Sequence, residues 1–334
     1  MKKKVRMFCS LFMSLVLLSA VTVLSGCENS GVRSGLEKVR LNEVAHSIFY
    51  APQYVAIEKG YFEEEGIDLE LTTGFGADKT TTALISNEAD IGFMGPEGTI
   101  YLYNEGCEDY AVNFAQLTQR AGNFVVSREK KDDFQWEDLK GKEIIGGRPG
   151  GMPEMVFEYV LKKHSIDPSK DVKLVQNIDF ANTSGAFVGG TGDYTVEFEP
   201  SATLIEEQGA GYVVASVGTE SGYVPYTAYC ATKSYLKDHK DTLQAFTRAI
   251  EKGQKFVKEH SAAEIAEVIA PQFKDTDVKT IEKILKRYME QDTFKENTYF
   301  EEDSFNLIQD ILEQAGELEK RVSYEELVTT EFSK

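Results

Sequence analysis

The chain has 334 residues, and 36 basic against 55 acidic side chains leave a formal charge of -19, with 42% hydrophobic and 27% charged residues. That apolar share, with 20 Phe, 16 Tyr and 1 Trp, excludes a disordered chain, and the length is that of two domains each able to bury a core. A surface this acidic is repelled by a phosphate backbone, so no nucleic acid is expected as a partner.

Lys2, Lys3, Lys4 and Arg6 precede an uncharged run from Met7 to Val23 that ends at Leu24, Ser25, Gly26 and Cys27. This pattern predicts a secretory signal over residues 1–26, an uncleaved anchor helix being the other reading. The four-residue boundary resembles a bacterial lipobox. The resemblance implies cleavage before Cys27, lipid on its sulfur, and a chain held outside the cytoplasm on the cell membrane by that lipid. Loss of the signal leaves 32 basic against 55 acidic residues, a charge of -23. Cys9 leaves with the signal, and Cys107 and Cys230 are expected as buried free thiols unless their α-carbons come within about 7 Å. Residues 27–37, with Ser, Gly and Asn, predict a flexible tether.

The globule begins near Lys38. Val39 to Val44 alternates with period two and predicts a first strand, and residues 50–60 follow with helical spacing that closes on Gly60. Residues 66–71 restore alternation, 74–78 break it, Lys79 to Glu88 reads as a helix and Ile91 to Met94 as a buried strand. A break at 95–98 opens a helix through Tyr103, and Asp109 to Leu117 gives the next strand. This alternation predicts an α/β sheet of mostly parallel strands. In such open sheets ligands bind beyond the carboxyl ends of the strands, where helix amino termini present unpaired N–H groups.

Around residues 119–124 the pattern changes and a second domain is predicted to begin. It holds the strand Glu143 to Ile145, the glycine-rich loop 146–153, a helix from Glu154 to Lys163, and the strands Val172 to Val175 and Tyr194 to Phe198. The aromatic stretch from Tyr223 to Tyr229 starts another strand, and Asp241 to Leu327 is helical in period. That tail has no sheet of its own and is expected to pack on the first domain, so the chain crosses over and returns.

Residues 51–70, from Ala51 and Pro52 through Gly60, Tyr61 and Phe62 to Gly66 and Glu70, resemble the opening of the SsuA-like solute-binding lipoproteins. These feed ABC importers for nitrate, sulfonates, taurine or the pyrimidine precursors of thiamine. Ala89 to Gly92, Asp138 to Lys142, Gly192 to Pro200 and the helical tail also fall where that family has similar segments. The resemblance covers about residues 38–332. It implies a type II periplasmic-binding fold: two α/β lobes joined by two crossovers, with a ligand cleft between. Lobe I would be 38–122 with 223–334, and lobe II 123–222. It further implies a monomer that closes on a small molecule and delivers it to permease and ATPase subunits. A thiamine-pyrimidine synthase of the same fold, or a surface receptor without transport, are the other readings.

The residues themselves point to binding and not to catalysis. His46, His164, His239 and His260 are the only histidines and none stands in a zinc-protease spacing, no serine sits in a GxSxG turn, and the loop 146–153 lacks the ending of a phosphate loop. No catalytic residue, metal or cofactor is expected. The same loop suits an anion: Gly150 and Gly151 permit close backbone approach, a helix starts near Pro153, and Arg148 adds charge, unless Arg148 is paired to a surface carboxylate. Ser47, Phe49 and Tyr50 follow the first strand; the two aromatics would cover a planar or apolar ligand while Ser47 donates a hydrogen bond, one aromatic being core instead. Asp78, Lys79 and Thr80 start a helix, with Asp78 as an N-cap or a ligand residue. Gly95, Glu97 and Gly98 repeat the arrangement, and a Glu97 facing the crevice would favour an amine, or only stabilise a helix start. Thr118 and Gln119 flank the first crossing; Asn182, Thr183, Glu199 and Tyr226 flank the second lobe's loops and the return. Dominance of Arg148 would select an oxyanion, and dominance of Glu97, Glu199 and tyrosines a stackable cationic heterocycle.

Overall fold

The chain enters its first sheet with β1 (Glu37–Glu43), makes a 3-10 turn at Ile48–Tyr50, and continues through α1 (Ala51–Glu58), α2 (Tyr61–Glu64), β2 (Ile67–Thr73), α3 (Ala77–Ile85), β3 (Ile91–Met94), α4 (Glu97–Asn104) and β4 (Ala111–Thr118). It then crosses to β5 (Asn123–Ser127), β6 (Glu143–Ile145), α5 (Met152–Lys163), β7 (Lys173–Val175), α6 (Thr183–Val188), β8 (Tyr194–Phe198), α7 (Ser201–Glu207), β9 (Tyr212–Ser216) and α8 (Val217–Ser221). It returns as β10 (Thr227–Thr232), followed by α9 (Lys233–Asp238), α10 (Lys240–Glu259), α11 (Ala262–Ile269), α12 (Val278–Glu290), α13 (Glu302–Ala315) and α14 (Tyr324–Leu327). This computed structural model describes residues 35–333, so the signal at 1–26, the boundary at Cys27 and most of the tether lie outside the described residues. Among the described residues no helix is long and apolar enough to cross a membrane.

The strand orders are β2-β1-β3-β10-β4 and β7-β6-β8-β5-β9. The expectation of mostly parallel strands holds with one exception in each sheet, where four of the five strands run in one sense. β1 runs parallel to β2 and β3, and β6 parallel to β7 and β8, but β10 is antiparallel to β3 and β4, and β5 to β8 and β9. Topology supplies the reason. β4 ends at the crossing with the same sense as β1 and β3, whereas β5 and β10 begin where the chain has just crossed, so each runs away from the seam against its neighbours.

Burial follows the apolar pattern. Phe93 on β3 stacks on Tyr229 of β10 with ring centroids 4.3 Å apart, and Phe246 of α10 meets Tyr229 edge-on at 5.0 Å. On α10, Leu243, Phe246, Ile250 and Val257 are buried at the three- and four-residue spacing that puts them on one face. That helix lies so close to α1 that a Cβ on Gly253 would stand 2.1 Å from the Pro52 carbonyl oxygen. α10 and α11 pack on α1 and α14 on β4, as expected of a tail covering the first sheet, but α13 packs on α5 beside the second sheet. The tail therefore serves both sheets. Cys107 is half-buried, Cys230 is buried within β10, and both are free thiols.

Candidate ligand site at the seam of the two sheets

The carboxyl ends of β1, β3 and β4 and the starts of β5 and β10 meet at one seam. Glu43 closes β1 fully buried; its carboxylate accepts from Gln53 Nε2 and the Tyr54 hydroxyl, both at 2.8 Å, and from Thr73 Oγ1 at 3.2 Å. His46 Nδ1 lies 2.9 Å from Glu43 Oε1, and its Nε2 lies 3.0 Å from the Gln272 carbonyl. Both partners are acceptors, and the bond to Glu43 raises the imidazole's pKa above its ordinary value. This network fixes the loop that carries Ser47, Phe49 and Tyr50.

Ser47 caps the 3-10 turn, accepting from Phe49 N, and its hydroxyl donates across the seam to the Glu199 carbonyl at 3.2 Å. Phe49 is fully buried and meets Tyr226 edge-on at 5.6 Å and Phe198 at 5.8 Å, so residues of both sheets share one aromatic cluster. Tyr50 packs edge-on against Phe93 at 4.5 Å, and burial drives its phenol well above the ordinary range. Both aromatics are core and seam at once.

Glu97 opens α4. It is 4% exposed, its Oε2 has no hydrogen-bond partner, and burial pushes the carboxyl up to about 8. A Cβ at Gly95 would stand 1.9 Å from that oxygen, so the absence of a side chain there is what lets the carboxyl fold back over the end of β3. Gly98 is buried in the first turn of α4. One turn further on, Tyr101 reaches the second sheet's loop: its hydroxyl donates to the Gly150 carbonyl at 3.3 Å. Two more buried polar atoms without a partner lie here, the Tyr226 hydroxyl and Asn123 Oδ1, while Asn123 Nδ2 donates to the Pro153 carbonyl at 3.4 Å.

The other candidates have different employments. Arg148 is exposed and paired with exposed Asp179 at 3.6 Å, the surface pairing that was its alternative reading. Gly151 is the N-cap of α5. Glu199 is buried, but its carboxylate is taken up by Arg287 and by the backbone N–H and hydroxyl of Thr203 at 2.9 and 3.0 Å, so it is not open to a ligand. Asp78 and Lys79 are exposed in the first turn of α3, whose N-cap is Gly76 and not Asp78, while Thr80 is buried and donates to Asn42 Oδ1 at 2.8 Å. Thr118 joins its hydroxyl to that of Thr227 at 2.6 Å, and Gln119 donates to the carbonyls of Asp292 and Phe294. Asn182 is exposed before α6; Thr183 is buried and donates to Glu197 Oε2 at 3.0 Å, where burial pushes the Glu197 carboxyl up to about 7. Asn123 and Tyr101 were not singled out from sequence. Tyr101 stands four residues after Glu97 on one helix face, which was a usable signal; Asn123 merely heads an apolar run.

Two mixed sheets joined by two crossings, with buried polar atoms at the junction, define a periplasmic-binding-protein fold. The alkanesulfonate-binding protein SsuA from Xanthomonas axonopodis pv. citri, bound to MOPS, superposes with a TM-score of 0.70 at 15% identity over 88% of this chain and 98% of that one. The chain belongs to the NMT1/THI5-like family, whose profile matches residues 48–264. It is 50% identical over 298 residues, 89% of each chain, to "Putative binding protein YtlA" of Bacillus subtilis (strain 168). It is 23% identical over 230 residues, 66% of each chain, to the 4-amino-5-hydroxymethyl-2-methylpyrimidine phosphate synthase of Aspergillus parasiticus.

Proposed function

We propose that the chain is the extracytoplasmic solute-binding lipoprotein of an ABC importer, tethered through Cys27. It takes a small polar solute between lobe I (38–122 with 223–334) and lobe II (123–222) and delivers it to a permease. The solute is a thiamine-type aminopyrimidine precursor or a sulfonate, taurine or nitrate-like anion. The observation that carries this reading is the set of buried, unpartnered polar atoms on Glu97, Asn123 and Tyr226, because leaving such groups unpaired costs roughly 1–3 kcal/mol each unless a ligand satisfies them. The family membership and the 50% relative described as a binding protein support it.

A melting scan of the full chain against nitrate, taurine, alkanesulfonates and thiamine pyrimidines tests the reading. A true ligand at 100 times its dissociation constant adds about 2.7 kcal/mol of stability. No stabilisation by any of them would count against a solute site of this class. The relative named for a synthase is the observation on the side of catalysis; turnover of a bound pyrimidine would decide for it.

A further inference from the structure

We infer that Glu97 is the charge-selecting residue of the seam, admitting a small flat ligand that brings an N–H donor or a positive charge and rejecting oxyanions. This rests on the seam being the ligand site, as proposed above, and it goes further by choosing between the two ligand classes.

The argument starts from what the seam lacks. An oxyanion needs donors or positive charge, yet Glu97 Oε2 and Asn123 Oδ1 are acceptors only; the donors among the buried unpartnered atoms of the described residues are the Tyr226 hydroxyl and Arg120 Nε, and no basic side chain figures among the influences on the Glu97 carboxyl. Of the basic side chains near the seam, Arg148 is turned outward on Asp179, and Arg120 on the first crossing lies over the Tyr223 ring at 4.3 Å and donates to the Gly218 carbonyl at 3.3 Å. The titratable groups that feel Glu97 are the phenols of Tyr50 on the 3-10 turn, Tyr101 on α4 and Tyr226 before β10, and the Cys230 thiol on β10. Tyr101 also feels Glu154 and Glu317, so the second sheet's side adds negative and not positive charge. An oxyanion placed here meets bare acceptors. A ligand N–H meets two acceptors and the aromatic walls of Phe49, Tyr50 and Tyr226, the setting in which flat nitrogen compounds bind.

Burial holds the carboxyl up to about 8, so at neutral pH it is mostly the neutral acid. An arriving cation restores the charged form by attraction across a short distance. The balance is Glu97–COOH plus cation giving the carboxylate–cation pair plus one proton released to solvent. A merely structural Glu97 would release none.

The test uses the full chain in detergent with four probes: 4-aminopyrimidine and benzamidine on one side, methanesulfonate and nitrate on the other. Each is titrated by calorimetry at pH 7 in two buffers of different ionisation enthalpy. The expected result is binding of benzamidine, a cation at pH 7, with release of close to one proton and affinity that rises with pH toward 8, binding of 4-aminopyrimidine, mostly uncharged at pH 7, with little net release, and no binding of the anions. Glu97→Gln should bind about 10- to 100-fold more weakly and release no proton. Gly95→Ala, which displaces the carboxyl without removing it, should weaken binding in the same direction and keeps the test open if the first variant does not fold. Anion binding without nitrogen-probe binding overturns the inference and leaves the solute-binding reading standing. Unchanged affinity and proton release in both variants also overturns it. Failure of all four probes overturns the inference and counts against the seam as a solute site.

Discussion

Arg287 on α12 forms an ion pair with the buried Glu199 at the end of β8, 88 positions away in sequence. The same guanidinium reaches Glu206 of α7 at 2.8 Å, and the next residue, Tyr288, donates to the Gly122 carbonyl at 3.0 Å in the first crossing. A helix of the tail thus clasps the second sheet beside its junction with the first.

Removing one partner of that pair leaves a buried charge uncompensated. Arg287→Met is expected to lower stability by roughly 3–5 kcal/mol, read as a fall in the urea midpoint, whereas Glu199→Gln combined with it should recover part of the loss. Equal stability of Arg287→Met and the parent would show that the clasp contributes nothing.

His46 gives a pH-dependent contribution. Its pKa is raised above the ordinary 6.5 by Glu43, so its stabilisation is fully present below that ordinary value and is lost as pH rises through the raised one. The stability gap between the parent and His46→Gln should be widest at low pH within the folded range and should narrow steadily above neutrality. Urea melts across that interval measure it, and a gap that widens with pH would contradict the assignment.

Glu97 works in the opposite chemical sense but with the same sign. Its carboxyl stays protonated in the folded chain up to about 8, while the unfolded chain ionises near the ordinary 4.5, so the parent loses stability between those values. Glu97→Gln has no such titration. Without ligand, its melting temperature should match the parent's near pH 4.5 and exceed it by a margin that grows up to about pH 8 and then stays level.

Gly253→Ala places a methyl against the Pro52 carbonyl and forces α10 away from α1. A loss of roughly 1–3 kcal/mol is expected, seen by thermal melting.

Where local pattern decides structure, the sequence was easily read. β6 and β8 occur with the bounds expected, since each is a short apolar run between glycine-rich or polar breaks. β9 was missed: it is an edge strand, only partly buried, and Tyr212 to Ser216 has no alternation to mark it. The site shows the same division. Glu97, Phe49, Tyr50 and Tyr226 sit at loops after or before strands, and topology alone brings them to the seam. Glu199 and Arg148 fill similar places in sequence, but their partners decide their use. Arg287 claims one from 88 positions downstream and Asp179 holds the other at the surface, choices that no local pattern records.

The position of β10 bears on how such a chain is made. Within the sheet, β10 is the one strand β4 pairs with, and β10 separates it from β3. A nascent chain ending anywhere before residue 227 therefore presents both edges unsatisfied, and closing that gap means joining segments more than a hundred residues apart, a slow step of high contact order. Translation can run most of its course before the first sheet acquires the strand that joins β4 to β3.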